Sequence, residues 1–266
     1  MIAKSRKVVV RWLRLGLTAI IQLLGNIAKL FFILHFKAFP RKRFTIPAFS
    51  PPLWRTKASK KIPKIVWQTN YTDKVTLAAY ANYLFNRLMA PQYEHRLLLD
   101  ADCQKFIEEN FQKDTVECYG KLRIGASRAD FWRVLVLLEK GGVYLDVDAS
   151  IVFPLDYIFD SQQTELFLSD ERGEITNHFM VSCPGNAILQ EIRFKIEDNI
   201  RNDSSDDVWN LTGPGVLESI DGMKGAFVDE KLLCCKQGIL TNRTLQYPDA
   251  KNLHWQEQQK IENILG

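Results

Sequence analysis

Between Val8 and Phe39 the chain is mainly apolar, yet its polar residues are not scattered. Lys4, Lys7, Arg11, Arg14, Thr18, Gln22, Asn26 and Lys29 follow one another at steps of three or four, which predicts one α-helix carrying a single polar stripe. Trp12, Leu13, Leu17, Ile20, Ile21, Leu24 and Ile27 fall elsewhere around it. The segment "IPAFSPPLWRTKASKK", with Pro47, Pro51 and Pro52, reads as a linker. Beyond it strand-like and helix-like periods alternate. Strands are expected at 62–68, 94–100, 143–147, 165–169 and 178–182, and helices at about 74–89, 101–111, 127–140 and 186–200. Ser127 is the expected N-cap of the third of these helices, and Gly141-Gly142 its break. Such alternation predicts an α/β layered sheet with ligands at the carboxyl edge of its strands.

Charge divides the chain. Residues 1–61 carry fourteen Lys and Arg and no Asp or Glu, whereas the remainder carries 21 basic and 31 acidic residues. A basic arm that is greasy rather than polar points to a membrane surface and away from nucleic acid. A basic stripe opposite a broad apolar face suits a helix lying in the headgroup region. A span from Leu15 to Phe36 is long enough to cross a bilayer, but it would place Lys29 in the hydrocarbon, at about 2.5–3.5 kcal/mol if near its centre. No small-residue cleavage site marks a signal peptide. The five cysteines (Cys103, Cys118, Cys183, Cys234 and Cys235) lack zinc-like spacing and read as free thiols.

The chemistry concentrates at "GGVYLDVDAS" (141–150), where Asp146 and Asp148 stand one residue apart at the end of a buried-looking strand. Paired carboxylates repel unless a cation or a donor compensates. No GxxxxGK[ST] loop and no GxGxxG after a strand is available to bind phosphate. A divalent metal held by carboxylates does the same work, because Mg²⁺ and Mn²⁺ prefer oxygen ligands and bridge phosphate oxygens.

With these residues in view, "IPKIVWQT", "SRADFWRVLVLLEKGGVYLDVD", "NHFMVSCPGN" and "TGPG" resemble the DXD-containing glycosyltransferases of family 32, over roughly residues 62–255. The block that joins an Asp-x-x-Arg helix, a Gly-Gly break and an Asp-x-Asp strand end is the specific part. The resemblance implies a GT-A-type, Rossmann-like nucleotide-sugar-binding domain, Mn²⁺ or Mg²⁺, and retaining transfer of a hexose from a UDP- or GDP-linked donor to a glycan or glycolipid acceptor. Surface polysaccharide or lipopolysaccharide synthesis, with the catalytic domain cytoplasmic in a bacterial setting, is the accompanying expectation. It further implies that Asp148 binds the metal and that Asp146 meets ribose, donor sugar or metal. Asp130 and Arg133 would hold donor sugar and phosphate, with Arg133 stabilising the leaving group. Tyr144, Asn177 and Gly213 are the remaining donor-side candidates. Trp67 stands where family members often carry His, and related glucosylating toxins stack a Trp on the base. Base stacking is the role expected of it, with a core Trp as the open alternative. His178 reads as a satisfied polar residue.

The family's His- and Trp-containing C-terminal segment is reduced here to "NLHWQEQQK", which leaves His254 as the candidate third metal ligand. Two alternatives stay open on the sequence. One is a haloacid-dehalogenase-type phosphatase with Asp146 as nucleophile, although Ala149-Ser150 replaces the usual Gly-Thr. The other is a membrane-bound binding module without catalysis. The expected organisation is a basic amphipathic membrane-anchoring helix in 1–45, a Pro/basic linker in 46–61 and a glycosyltransferase domain in 62–266.

Overall fold

A computed structural model describes residues 2–55, 61–248 and 255–266, with side chains from Val10 onward. A mixed sheet of seven strands forms its centre. In spatial order these are Val228–Glu230, Glu165–Ser169, Ile175–Ser182, Gly142–Leu145, Ile65–Thr69, Glu94–Leu98 and Phe49–Ser50. The three neighbours Gly142–Leu145, Ile65–Thr69 and Glu94–Leu98 run parallel. Ile175–Ser182 runs antiparallel between Gly142–Leu145 and Glu165–Ser169. Phe49–Ser50 falls inside the expected linker yet adds an antiparallel edge strand, and nearby Ile46 is buried.

Strand alternation sends side chains to two cores, one on each face of the sheet. Trp67, Tyr144, Phe167 and Met180 join one core with Trp132, Leu135, Leu189 and Ile192 from the covering helices. Val66, Val143, Leu145, Leu166, Phe179 and Val181 join the other with Tyr93, Ile151, Phe159 and Cys234. Helix Gly125–Lys140 is the central element of the first layer, and every residue from Asp130 to Leu138 is buried. Its N-cap is Ile124 and not Ser127, whose Oγ donates to the Ile124 carbonyl at 2.7 Å from inside the first turn. Gly141 caps its other end with φ 65°, and Gly142 follows with φ 110°. A Cβ on Gly142 would lie 2.7 Å from the Ile65 carbonyl oxygen, so only glycine lets this strand start beside its neighbour.

Helix Ile2–Ala38 docks along the globule through one stripe. Arg14, Leu15, Thr18, Ile21, Gln22, Gly25, Ala28, Lys29, Phe32, Ile33 and Phe36 are buried or half-buried, at the 3.6-residue period of a contact face. The polar members bond to protein: Arg11 forks onto Glu230, Arg14 pairs with Asp229, Thr18 Oγ1 donates to Leu232 O and Lys29 Nζ to Gly238 O. Of the stripe expected to meet headgroups, Arg11, Arg14, Thr18 and Lys29 therefore meet the globule.

Trp67 also departs from expectation. It is 5% exposed, sits in the first core and donates its indole N–H to Gly141 O at 2.9 Å, so it is a packing residue and not a base-stacking platform. Trp67→Ala should cost about 3–5 kcal/mol of folding free energy. Denaturant unfolding measures this, and a loss below about 1 kcal/mol would contradict the core assignment.

Candidate active site

The parallel strands end at one cleft of about 370 Å³. Its walls include Asp130, Arg133, Tyr144, Asp146, Asp148 and Asn177, all expected from the sequence, and His178, expected only as a satisfied polar residue. Gly213 is adjacent and not itself in the wall. It leads into Pro214, which is, and a Cβ there would approach Trp209 Cα and O at 3.0 Å, so this glycine serves close packing. His254 lies outside the described residues.

Helix and strand bring the charges together. Arg133, three residues after Asp130 on a buried helix face, pairs with it at 2.9 Å and with Asp146 at 3.5 Å. Its Nη1 donates to Asn177 O at 2.6 Å and its Nε to Ala129 O at 3.2 Å. The guanidinium carbon rests 4.5 Å from the Tyr144 ring centroid. Arg133 is thus engaged by protein acceptors on Nε, Nη1 and Nη2, and its direct role is to hold carboxylates. Arg133 also lines the cleft, so its charge faces the space between these walls. Asp130 also accepts from Asn177 Nδ2 at 2.8 Å. Burial pushes the Asp130 carboxyl up to about 6 while Arg133 opposes the rise and Asp146 adds to it.

The strand stops at Leu145, and Asp146 to Ala149 form a turn closed by Ala149 N–H to Asp146 O at 3.0 Å. Strand alternation is therefore not what makes the two carboxylates converge. They meet instead at Gln237, whose Nε2 donates to Asp146 Oδ2 at 3.3 Å and to Asp148 Oδ1 at 3.2 Å. Gln237 comes from Cys235–Gln237, which pairs antiparallel with Ala149–Ile151 and places Gln237 opposite Ala149. The Tyr144 hydroxyl fixes Asp146 further, donating to Oδ1 at 2.8 Å. Burial raises the Asp148 carboxyl above the usual carboxylate range, and Asp146 pushes the same way. His178 is buried, contacts Cys235 O through Nε2 at 3.3 Å, and burial lowers its pKa, so it is a neutral, satisfied side chain.

Among the described residues no group of three or more His, Cys, Asp or Glu side chains forms a metal cage. Two convergent carboxylates, only one of them paired with Arg133, nevertheless fit a hard divalent ion, which would take its remaining oxygens from water or a diphosphate. Sequence reading missed Gln237, Tyr71, Tyr247, Trp209 and Gln246, which also line the cleft. The Tyr71 and Tyr247 rings stack at 6.2 Å and 25°. Neither tyrosine lies in a periodic or motif-bearing stretch, so nothing local announces them.

Residues 57–165, which contain Asp146 and Asp148, match the family described as "Glycosyltransferase sugar-binding region containing DXD motif". The chain is similar to an initiation-specific alpha-1,6-mannosyltransferase of Schizosaccharomyces pombe, at 24% identity over 70% of this chain and 56% of that protein. A protein of the same description in Candida albicans is 24% identical over 60% of this chain and 52% of its own length. The chain thus spans about half the length of these curated relatives. Among solved structures, PaToxG glycosyltransferase aligns with a TM-score of 0.47 and 16% identity, over 73% of this chain and 78% of that one.

Arg133→Met should lower stability by about 3–5 kcal/mol at pH 7, because it leaves buried carboxylates without their counter-charge. The sign of the pH dependence follows from Asp130. A carboxyl raised from 3.8 to about 6 on folding holds a proton that the unfolded chain has lost. Its contribution therefore worsens as pH climbs through that window. In Arg133→Met the Asp130 pKa rises further, so the deficit should shrink at pH 5. Equal deficits at pH 5 and pH 7 in denaturant titrations would make Arg133 a packing residue only.

Proposed function

We propose, taking as premise that residues 57–165 are a DXD-containing glycosyltransferase sugar-binding region, that the chain transfers a mannosyl or related hexosyl group from a nucleotide sugar to a glycan or glycolipid hydroxyl in a GT-A-type site. The single observation that carries this reading is the convergence of Asp146 and Asp148 in a cleft that joins acidic, amide and aromatic walls. The family match sets aside the phosphatase alternative for Asp146. The intact Asp130, Arg133, Asp146 and Asp148 constellation speaks against a merely binding module.

Asp148 and Asp146 would hold Mn²⁺ or Mg²⁺. When bound, that ion neutralises diphosphate charge and so improves the leaving group. Tyr144 and Arg133 orient Asp146, and Arg133 adds fixed positive charge behind it. Tyr71, Tyr247, Trp209 and Trp255 offer rings for the base and for sugar faces, the task the sequence assigned to Trp67. The acceptor hydroxyl bonds to the anomeric carbon as the carbon–oxygen bond to the diphosphate breaks. The bonding pair leaves with the phosphate, and the hydroxyl proton passes to a phosphate oxygen on the same face. Attack on the face that the diphosphate leaves gives retention in this scheme without a nucleophile from the wall.

Calorimetric titration of GDP-mannose and UDP-hexoses, with and without Mn²⁺, tests the site. Asp148→Asn should abolish metal-dependent binding and turnover, and Asp146→Asn should cripple turnover through lost positioning. NMR of the first product from wild-type protein should show the donor's anomeric configuration. Unchanged Mn²⁺-dependent binding in Asp148→Asn, or an inverted product, would overturn the reading.

The N-terminal helix carries the second part of the proposal. Val10–Ala38 has mean hydropathy 1.9 and the length to cross a bilayer. Trp12, Leu13, Ile20, Leu23, Ile27 and Leu34 are 57–66% exposed, on the side away from the globule. A helix docked along the globule from Arg14 to Phe36 lies in a membrane surface more readily than across it, with this apolar face in the lipid. Lys29 then faces protein and not hydrocarbon. In flotation with phosphatidylcholine vesicles the full chain should rise with lipid, and Leu23→Asp/Ile27→Asp should remain behind. Flotation of the double variant at the wild-type level would refute the interfacial seat.

A further inference from the structure

We infer that the N-terminal helix is a positioning element of the DXD site as well as its anchor, with Gly25 and Lys29 as the residues that act. This rests on the transfer reading above. The inner face of the helix grips the segment that carries Gln237. Lys29 Nζ donates to Gly238 O at 2.9 Å, and the Gly238 amide in turn donates to Asp148 O at 3.1 Å. One residue earlier, Gln237 holds both carboxylates. One residue later, Ile239 is buried directly on Gly25, where an added Cβ would lie 2.5 Å from Ile239 Cγ2 and 2.6 Å from its carbonyl oxygen.

Before the turn, Cys235 is anchored in the second core, whereas Gln237 and Gly238 stand at the end of their ribbon. Cys235–Gln237 belongs to a two-stranded ribbon outside the main sheet, and Gly238 sits at φ 72°. Gln237 itself is exposed. Upstream, the same helix pins residues 229–232 through Arg11, Arg14 and Thr18. The exposed apolar residues on the lipid side (Leu23, Leu24, Ile27) and the residues that meet the turn (Gly25 by its backbone, Lys29 by its ammonium) interleave on one rigid rod. Seating the helix in a bilayer therefore holds Gln237 against Asp146 and Asp148, and displacing it releases them. A soluble truncation lacking the helix would keep the aspartates and lose their alignment.

Hydrogen exchange on the full chain in phosphatidylcholine nanodiscs tests this, beside Mn²⁺-dependent GDP-mannose turnover. Gly25→Val should speed exchange across residues 235–239 by about tenfold, with helix Gly125–Lys140 as protected as in wild type. Its kcat should fall about tenfold while the donor KM changes less, since alignment and not donor contact is lost. Lys29→Met should shift both readouts in the same direction, and Lys29→Arg should restore them. Leu24→Met, which keeps the outer face of the same turn apolar, should leave 235–239 protected. Exchange of 235–239 within twofold of wild type in both Gly25→Val and Lys29→Met would reduce the helix to an anchor. If Gly25→Val does not fold, the Lys29 pair decides. If the wild-type chain turns over no nucleotide sugar, the transfer reading fails, and the exchange comparison still judges the brace.

Discussion

The site depends on one buried guanidinium. Arg133, 4% exposed, is the positive charge that lets Asp130 and Asp146 share a low-dielectric wall. Carboxylates brought this close without a counter-charge would take up protons or push apart. The surroundings of Arg133 exist to hold it: Asn177 and Ala129 supply carbonyls, and Tyr144 supplies a ring face. Those partners come from the central helix, the DXD strand and its antiparallel neighbour. The guanidinium therefore engages three elements at once, two of them already in register in the sheet. Buried ion pairs seldom add much net stability, so specificity of arrangement is the better account of this one.

Much of this is legible in the sequence because it is local. The helix expected at 127–140 runs Gly125–Lys140, and its Asp-x-x-Arg spacing by itself puts two charges on one face. The Gly-Gly break and the strand after it follow from φ values that only glycine takes easily. Ser127 misleads because its hydroxyl can satisfy a carbonyl from within the first turn as readily as it caps. Trp67 misleads because an indole in a strand looks the same in a core as in a site. Its N–H partner, Gly141 O, is 74 residues away in sequence. Gln237 and Tyr247 reach the site through pairings with no sequence period, and so give no signal.

The polar stripe of the first helix illustrates a deeper ambiguity. A row of Arg, Thr, Gln and Lys at helical spacing is what both a headgroup-facing helix and a protein-docked helix display. Only the partner distinguishes them. Here the acidic excess of the rest of the chain is partly a partner: Glu230 and Asp229 receive Arg11 and Arg14. The charge split between the two halves of the chain is thus internal complementarity as much as attraction to an outside surface. Gly25 marks the same point, since a glycine amid a long apolar helix lowers helix propensity and is retained here by the close approach of Ile239.

The two aspartates are not equivalent, and their difference explains how a pair one residue apart can do two jobs. Asp146 is held at Oδ1 by Tyr144 and Arg133 and at Oδ2 by Gln237, so its orientation is set before any ligand arrives. Asp148 meets a single side-chain donor among the described residues, the Gln237 amide at Oδ1. The amide is a neutral donor that holds only Oδ1, so Asp148 can offer Oδ2 to an incoming ligand while Gln237 stays in place. One carboxylate is a fixed reference and the other an adaptable arm. The donor that bridges them sits on a ribbon held from outside the sheet. Fine adjustment of the site therefore passes through Gln237, whereas its charge balance passes through Arg133. The first is set by the turn at 237–239 and the second by the core, which is why one can be released without unfolding the other.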